Sequence, residues 1–403
     1  MLGPGLRRST IAFLLLPAAW LPACQTLDLP SMAAGPGVGK FAPEDDERRL
    51  WSRGKEMQER LDRSGILYQD PVLTEYVNAV ARRLLPEGFA LTGLDIEVRI
   101  VRNRSLNAFA LPHGALYVHS GILARMENEA QLATVLGHEM AHVILRHPVR
   151  NLRSVQNKSG ALATFAVLTI PFGAFGAAAQ LLAMGGTLAA VSGYSQDLEL
   201  EADREGLAMM ARAGYDPREA PKLFFQLKEW IEDEKKPEPF FFSSHPRLSE
   251  RIESYQELLK DKYGAPSADA RLRVGEEEFP ARARGLLLDN AVLDLQAGRF
   301  LQARKGLKRF LALNRDDPRG HYYVGETYRK QNDPKERLEA VQYYQAAIAA
   351  DALFPDAYRG LGTLYYQEGK TAEAVQAFER YLERAPAAAD RGHVQNLLEE
   401  LRK

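Results

Sequence analysis

The chain has a single cysteine, Cys24, in 403 residues, which excludes an intramolecular disulfide. It lacks any charge bias. Its 52 Lys and Arg against 53 Asp and Glu leave a formal net charge of −1, without the basic surplus that nucleic-acid binding needs. A clean membrane span is also missing. The run from Asn157 to Gln196 has no charge after Lys158, but it breaks at Pro171-Phe-Gly and at Gly185-Gly186. One span would set the acidic stretch after it across the bilayer from the histidines before it, and two spans need about forty apolar residues plus a turn. The run reads as a helical hairpin, either packed on its own domain or lying against a membrane surface.

What the chain does have is Gly137-His138-Glu139-Met140-Ala141-His142, inside a helix-favouring run from Glu129 to His147. Two histidines four apart on a helix share a face, so their imidazoles can converge on one zinc ion. Glu139, next to the first histidine, stands where the H-E-x-x-H arrangement needs a general base for the attacking water. Chance yields such a pattern in about one sequence of this length in a hundred. Leu132, Val135, Leu136, Met140, Val143 and Ile144 recur at helical spacing around it, so the helix is buried. Buried histidines without partners are costly, at roughly 1–3 kcal/mol per unsatisfied group.

A catalytic zinc needs a third protein ligand and an open position. The acidic stretch Tyr194 to Gly206 offers Glu199 and Asp203, four apart on one face, while Glu201 points to the other side. Glu199 is read as the ligand and Asp203 as the acceptor that fixes the tautomer of a zinc histidine. Glu201 is read as solvated, and His113, His119, His147, His321 and His393 as structural or exposed.

Together these motifs resemble the HtpX/BepA-type family of zinc metallopeptidases, which includes the CaaX prenyl endoproteases. The family's pattern is Gly-His-Glu-x-x-His followed some sixty residues later by Glu-x-x-x-Asp. Two further stretches are similar to it: Asn107 to Gly121, with Pro112 and Gly114, to the edge strand before the active-site helix, and Ser244-His245-Pro246 with Arg251 to the Ser-His-Pro-x-x-x-x-Arg segment. The resemblance spans about residues 45 to 262 and departs at Gln196, where many members carry an arginine. It implies one zinc per chain, held by His138, His142 and Glu199. It also implies a Ser-His-Pro loop near the metal, where His245 fills the open position and holds the enzyme latent. The residues alone also fit a simple helix entry there, with Pro246 at the first helical position. Arg251, one turn further, is placed to pair with an acid or a substrate carbonyl.

Residues 1–23 read as a signal peptide: Arg7 and Arg8, an apolar stretch from Ile11 to Trp20, then Leu21-Pro22-Ala23-Cys24. The last four resemble a lipoprotein processing site, with Cys24 as the lipidated residue. Gln25 after it, in place of Asp, favours the outer membrane under the enterobacterial sorting rule. Residues 24–44 are a Pro- and Gly-rich tether. Helices are expected from Glu44 to Arg63 and from Pro71 to Leu85, with strands from Leu94 to Val101 and from Asn107 to Val118. Pro112 assigns the second strand to an edge, which either accepts an extended substrate or is merely blunted.

Residues 263–283 read as a linker. Beyond them Tyr358, Gly362, Tyr365, Ala374, Phe378 and Pro386 take the signature positions of a tetratricopeptide unit beginning at Pro355. A unit from Pro318 and a degenerate one from Arg284 precede it, which assigns residues 284–403 to repeats whose concave face is a protein groove or which buttress the protease. The expected fold is mainly α: an α+β, zincin-like catalytic domain over residues 45–262 with a small edge-exposed sheet, then an α-solenoid. The expected activity is that of a zinc endopeptidase, lipid-anchored in the periplasm, with unfolded or misassembled envelope proteins as substrates and outer-membrane assembly machinery as a partner of the repeats. A chaperone or adaptor acting through the repeats is the alternative.

Overall fold

A computed structural model describes residues 29–32, 41–159, 194–232, 248–263, 271–331 and 333–403. Cys24, His245, the signal-like stretch and most of the apolar run from 157 to 196 lie outside these residues.

Two helices open the described chain, α1 (Asp45–Arg63) and α2 (Pro71–Leu84). Asp70 caps the second, accepting from Leu73 N at 2.9 Å, with Pro71 in the first turn where its missing N–H leaves no gap. A three-stranded sheet follows: β1 (Glu97–Val101), β2 (Ala108–Ala110) and β3 (Ala115–His119), ordered β1-β3-β2. β3 runs parallel to β1 and antiparallel to β2. The strand expected from Asn107 to Val118 is therefore a hairpin. Pro112 and Gly114 lie in its turn, closed by Gly114 N donating to Leu111 O at 2.9 Å, and Gly114 takes a positive φ of 101°.

The two edges of this sheet differ. On β1, Tyr68 N donates to Ile100 O at 2.8 Å, and the Asn78 amide accepts from Val98 N at 2.8 Å and donates to Val98 O at 2.9 Å. That edge is closed. On β2, the bonds His119 N to Asn107 O and Leu111 N to Ala115 O fix the register, so the N–H and C=O of Ala108 and Ala110 point away from β3.

After the short α3 (Ser120–Leu123) comes α4 (Glu129–Ile144), which is buried along its whole length. Asn128 caps it through Gln131 N at 2.9 Å. The run expected to be one helix to His147 breaks at Arg146, whose φ of 59° turns the chain into α5 (His147–Ser159). Among the described residues three more helices follow in this half: α6 (Gln196–Arg212), α7 (Glu219–Glu232) and α8 (Leu248–Lys262).

The region marked by composition as a linker is tied down where it is described. Val274 O and Gly275 O accept from Ala130 N at 3.0 Å and Glu129 N at 3.4 Å, satisfying amides at the start of α4 that have no partner within the helix. Helix α9 starts at Glu278, six residues before Arg284, and runs to Gln296. Its Phe279, Leu286 and Leu287 enter the same apolar core as Leu132, Leu136 and Met140 of α4. Arg125 and Asp294 form a buried ion pair at 2.9 Å across this junction, and Tyr68 donates to Asp289 at 2.7 Å.

Antiparallel helix pairs then stack outward: α9 with α10 (Phe300–Leu313), α11 (Pro318–Gln331) with α12 (Arg337–Ala350), and α13 (Pro355–Gln367) with α14 (Thr371–Arg384). α15 (Arg391–Leu401) covers the end. The fold is thus mainly helical, with one small sheet in the first half and helical repeats in the second, as the sequence led us to expect.

Candidate metal centre

Helices α4 and α6 cross glycine on glycine. A Cβ on Gly206 would lie 2.8 Å from His138 N and 2.9 Å from Gly137 C, closer than any side chain permits. The crossing brings His138 beside the preceding turns of α6, where Ser195 caps the helix and Glu199 and Asp203 share a face.

His138 Nε2 and His142 Nε2 are 3.0 Å apart, with Glu199 carboxylate oxygens 3.5 and 3.6 Å from them. All three residues are buried, and their ligand atoms fall within 4.8 Å of one another. Zinc takes such nitrogen and oxygen donors at about 2.0–2.2 Å in tetrahedral geometry, which spaces ligand atoms about 3.3 Å apart. The donor set fits. The electrostatics agree: burial is the largest influence on His138 and lowers its pKa, yet Asp203 and Glu199 outweigh it and hold the pKa at about 9. The spot favours positive charge.

Behind His138 stands Asp203, fully buried, with Oδ1 2.8 Å from Nδ1. That contact places a proton on Nδ1, so Nε2 is the nitrogen whose lone pair a metal would use. Asp203 is itself held by Arg251 at 2.5 Å and by the Tyr255 hydroxyl at 2.7 Å. Arg251 is 2 % exposed and lies over the Phe224 ring, so it faces the acid and not the solvent. Gln196, the noted departure from the family's pattern, donates to Glu250 at 2.9 Å and supplies a hydrogen bond in place of an ion pair.

Behind His142 the surroundings are different. His142 Nδ1 faces His147 Nδ1 at 2.8 Å, and His147 Nε2 is 3.4 Å from Glu201, which accepts from Arg150 at 2.8 Å. Burial lowers the His147 pKa and keeps the ring neutral, while the nearby His147 ring and the Arg150 hydrogen bond hold Glu201 down at about 2. Glu201, expected in solvent, is half-buried because the His147 and Arg150 side chains of α5 lie against it. Tyr194 stacks on His142 with ring centroids 4.1 Å apart. Its hydroxyl pKa is pushed well up, first by burial and then by the charges of Glu139 and Glu199, which puts all three in one electrostatic neighbourhood. Glu139 is 2 % exposed.

The structure therefore brings His138, Glu139, His142, Glu199, Asp203 and Arg251 together. Asn107 directly precedes β2, and Pro112 and Gly114 lie in the hairpin turn. Sequence reasoning missed His147, Tyr194, Tyr255 and Gly206. The spacing of Gly137 and Gly206 in two adjacent motifs was a signal available for one of these.

Fold and centre define a class: a largely helical metallopeptidase domain with candidate metal ligands on an H-E-x-x-H helix and a following acidic helix. Peptidase family M48 matches residues 71–259, and the tetratricopeptide repeat family matches 288–336 and 336–389. The chain thus carries a family M48 metallopeptidase domain followed by tetratricopeptide repeats. It is 33% identical over 195 residues to a putative beta-barrel assembly-enhancing protease of Vibrio cholerae, covering 47% of this chain and 40% of that one. It is 31% identical over 212 residues to the beta-barrel assembly-enhancing protease of Escherichia coli (strain K12), covering 50% and 43%. The mitochondrial metalloendopeptidase OMA1 of Schizosaccharomyces pombe is 31% identical over 195 residues, covering 47% and 53%. The matches span less than half the length of both bacterial relatives. Among the described residues no helix is long and apolar enough to cross a membrane.

Proposed function

We propose that the protein is a zinc-dependent endopeptidase of the bacterial periplasm that removes misfolded or misassembled outer-membrane and other envelope proteins. The observation that carries this reading is the buried convergence of His138, His142 and Glu199, with Glu139 on the same helix. Zinc bound there lowers the pKa of a water and polarises a peptide carbonyl. Glu139 takes the proton from the attacking water and delivers it to the amide nitrogen as the C–N bond breaks. Asp203 holds His138 in the tautomer that leaves Nε2 free. The Ala108 and Ala110 backbone groups, on the sheet edge that packs beside α4, bind an extended substrate as a further strand. The Asn78 cap on β1 directs that addition to β2. Cleavage is thereby set by extended backbone, which an unfolded chain offers and a folded one hides.

His245 is the proposed brake on this centre. Supporting it are the Ser-His-Pro sequence and the anchoring of Arg251, six residues later, beside His138 at 3.0 Å. The periplasmic, lipid-anchored placement rests on the signal-like start and Cys24. Envelope substrates and an assembly-machinery partner for the repeats rest on the names of the bacterial relatives.

The test is cleavage of unfolded casein and zinc content in full-length protein with Glu139→Gln beside wild type. Cleavage should vanish while bound zinc stays at the wild-type level; surviving cleavage sinks the assignment. His245→Ala should raise the rate.

An adaptor role has one observation in its favour. A cavity of about 380 Å³ lies between α11, α13 and α15, lined by Tyr322, Arg329, Arg359, Tyr366, Phe378 and His393. Full complementation of a deletion by Glu139→Gln would put that groove ahead of the protease.

A further inference from the structure

Resting on the metal-site reading above, we propose that His147 is a positioning residue for His142, accepting a hydrogen bond that fixes the ligand's tautomer, and that the turn at Arg146 exists to deliver it. A ligating imidazole usually gives its second N–H to a carboxylate, a carbonyl or water. Asp203 does so for His138. His142 instead turns Nε2 toward His138 and Glu199, and its Nδ1 meets another imidazole, His147 Nδ1, at 2.8 Å.

Proton placement follows from that geometry. For Nε2 of His142 to carry a lone pair, its proton must sit on Nδ1. His147 Nδ1 must then be bare, and the His147 proton lies on Nε2, which faces Glu201 at 3.4 Å. Arg150 fixes Glu201 from the far side at 2.8 Å. The result is a directional chain of contacts from His142 through His147, in which the first link is a hydrogen bond and the last, to Glu201, is an electrostatic contact at 3.4 Å.

The backbone is built to make this contact. His147 is five residues past His142, and a continuous helix would carry it about 140° around the axis, off the ligand's face. Helix α4 stops at Ile144, and Arg146 takes a φ of 59°, a left-handed conformation that is strained for a non-glycine residue. Glu47 of α1 holds Arg146 there by two hydrogen bonds, at 3.1 and 2.8 Å, in a fully buried pair. A strained residue locked by a partner 99 positions away, directly before the ring it presents, marks a functional turn.

The test uses full-length protein, stripped with a chelator and reloaded with zinc or Co²⁺, for wild type, His147→Asn and His147→Gln. An asparagine amide reaches the Nδ1 position of histidine, whereas a glutamine amide reaches the Nε2 position and leaves the first one empty. Zinc affinity from chelator competition should stay within about threefold of wild type for Asn and fall about 10- to 100-fold for Gln. The Co²⁺ absorption bands should shift for Gln alone. Metal-free thermal unfolding of the three proteins checks that each is folded, and Glu201→Ala, at the half-exposed end of the chain, should lower affinity about fivefold without touching the core. Equal affinities and spectra throughout, or equal losses for Asn and Gln, overturn the proposal. A wild type that binds no metal overturns the metal-site reading, and this inference with it.

Discussion

Replacing Gly206 by alanine probes how the two ligand-bearing helices are held. The new methyl carbon would stand 2.8 Å from His138 N, 2.9 Å from Gly137 C and 3.1 Å from Gly137 O, where ordinary contact begins near 3.4 Å. All three are backbone atoms of α4, which cannot rotate away. The crossing must open by about 0.6 Å, and overpacking of this kind costs about 1–3 kcal/mol. Alanine returns about 1 kcal/mol through its better helix propensity, so the fold should lose no more than about 2 kcal/mol. The centre is less tolerant. Glu199 rides on α6 and His138 on α4, and metal–ligand distances tolerate only about 0.2 Å. We expect zinc affinity to drop about 10- to 100-fold, with casein cleavage falling in step at limiting zinc. Chelator competition reads the affinity, and thermal unfolding of the metal-free protein reads the fold. Gly285→Ala is the control, since its Cβ would meet nothing nearer than the Tyr68 hydroxyl at 3.7 Å. Gly206→Ala protein that binds zinc within twofold of wild type would refute the claim that this crossing sets the ligand geometry.

Acid should weaken the fold through His119, which burial drives down to a pKa of about 3. The unfolded chain binds a proton below about 6.5 and the folded ring does not, so stability is full above pH 6.5 and declines by about 1.4 kcal/mol per unit toward pH 3. Urea unfolding at pH 7 and pH 5 should show about 2 kcal/mol less acid loss in His119→Asn than in wild type; an unchanged difference counts against it. Asp294→Ala leaves Arg125 buried without this partner and should cost about 3–5 kcal/mol by urea unfolding. A chain ending at Lys262 loses Phe279, Leu286 and Leu287 from the shared core and should be insoluble or protease-sensitive throughout. A well-folded fragment would show that the first repeat is dispensable.

Much of the candidate centre was legible because its residues obey helical spacing. His138 with His142, and Glu199 with Asp203, are each four apart, and periodicity alone puts each pair on one face. The hairpin was half legible, since Pro112 and Gly114 are turn residues that were read as interruptions of one strand. His147 was not legible, because its place depends on a left-handed Arg146 that a glutamate 99 residues away stabilises. Gly206 has meaning only opposite Gly137. Composition marked residues 263–283 as loose, but three of them, Arg273, Val274 and Gly275, bond their backbones to other segments. Composition reports what a segment would do alone, and these residues have partners.

The active-site helix is clasped at both ends by distant parts of the chain. Met32 N donates to Ile144 O at 3.0 Å at one end, and Val274 and Gly275 receive the amides at the other. Tyr255 and Arg251 stand behind the ligands, and α9 completes the core around them. A ribosome finishes the H-E-x-x-H motif long before it makes any of these later supports. Domains generally fold as units as synthesis proceeds, and the core of this one includes Phe279, Leu286 and Leu287 of α9, which runs to Gln296. A half-made chain therefore carries His138, His142 and Glu199 without the frame that aligns them. The order of synthesis thus delays assembly of the candidate centre until the supports that follow it in the chain have been made.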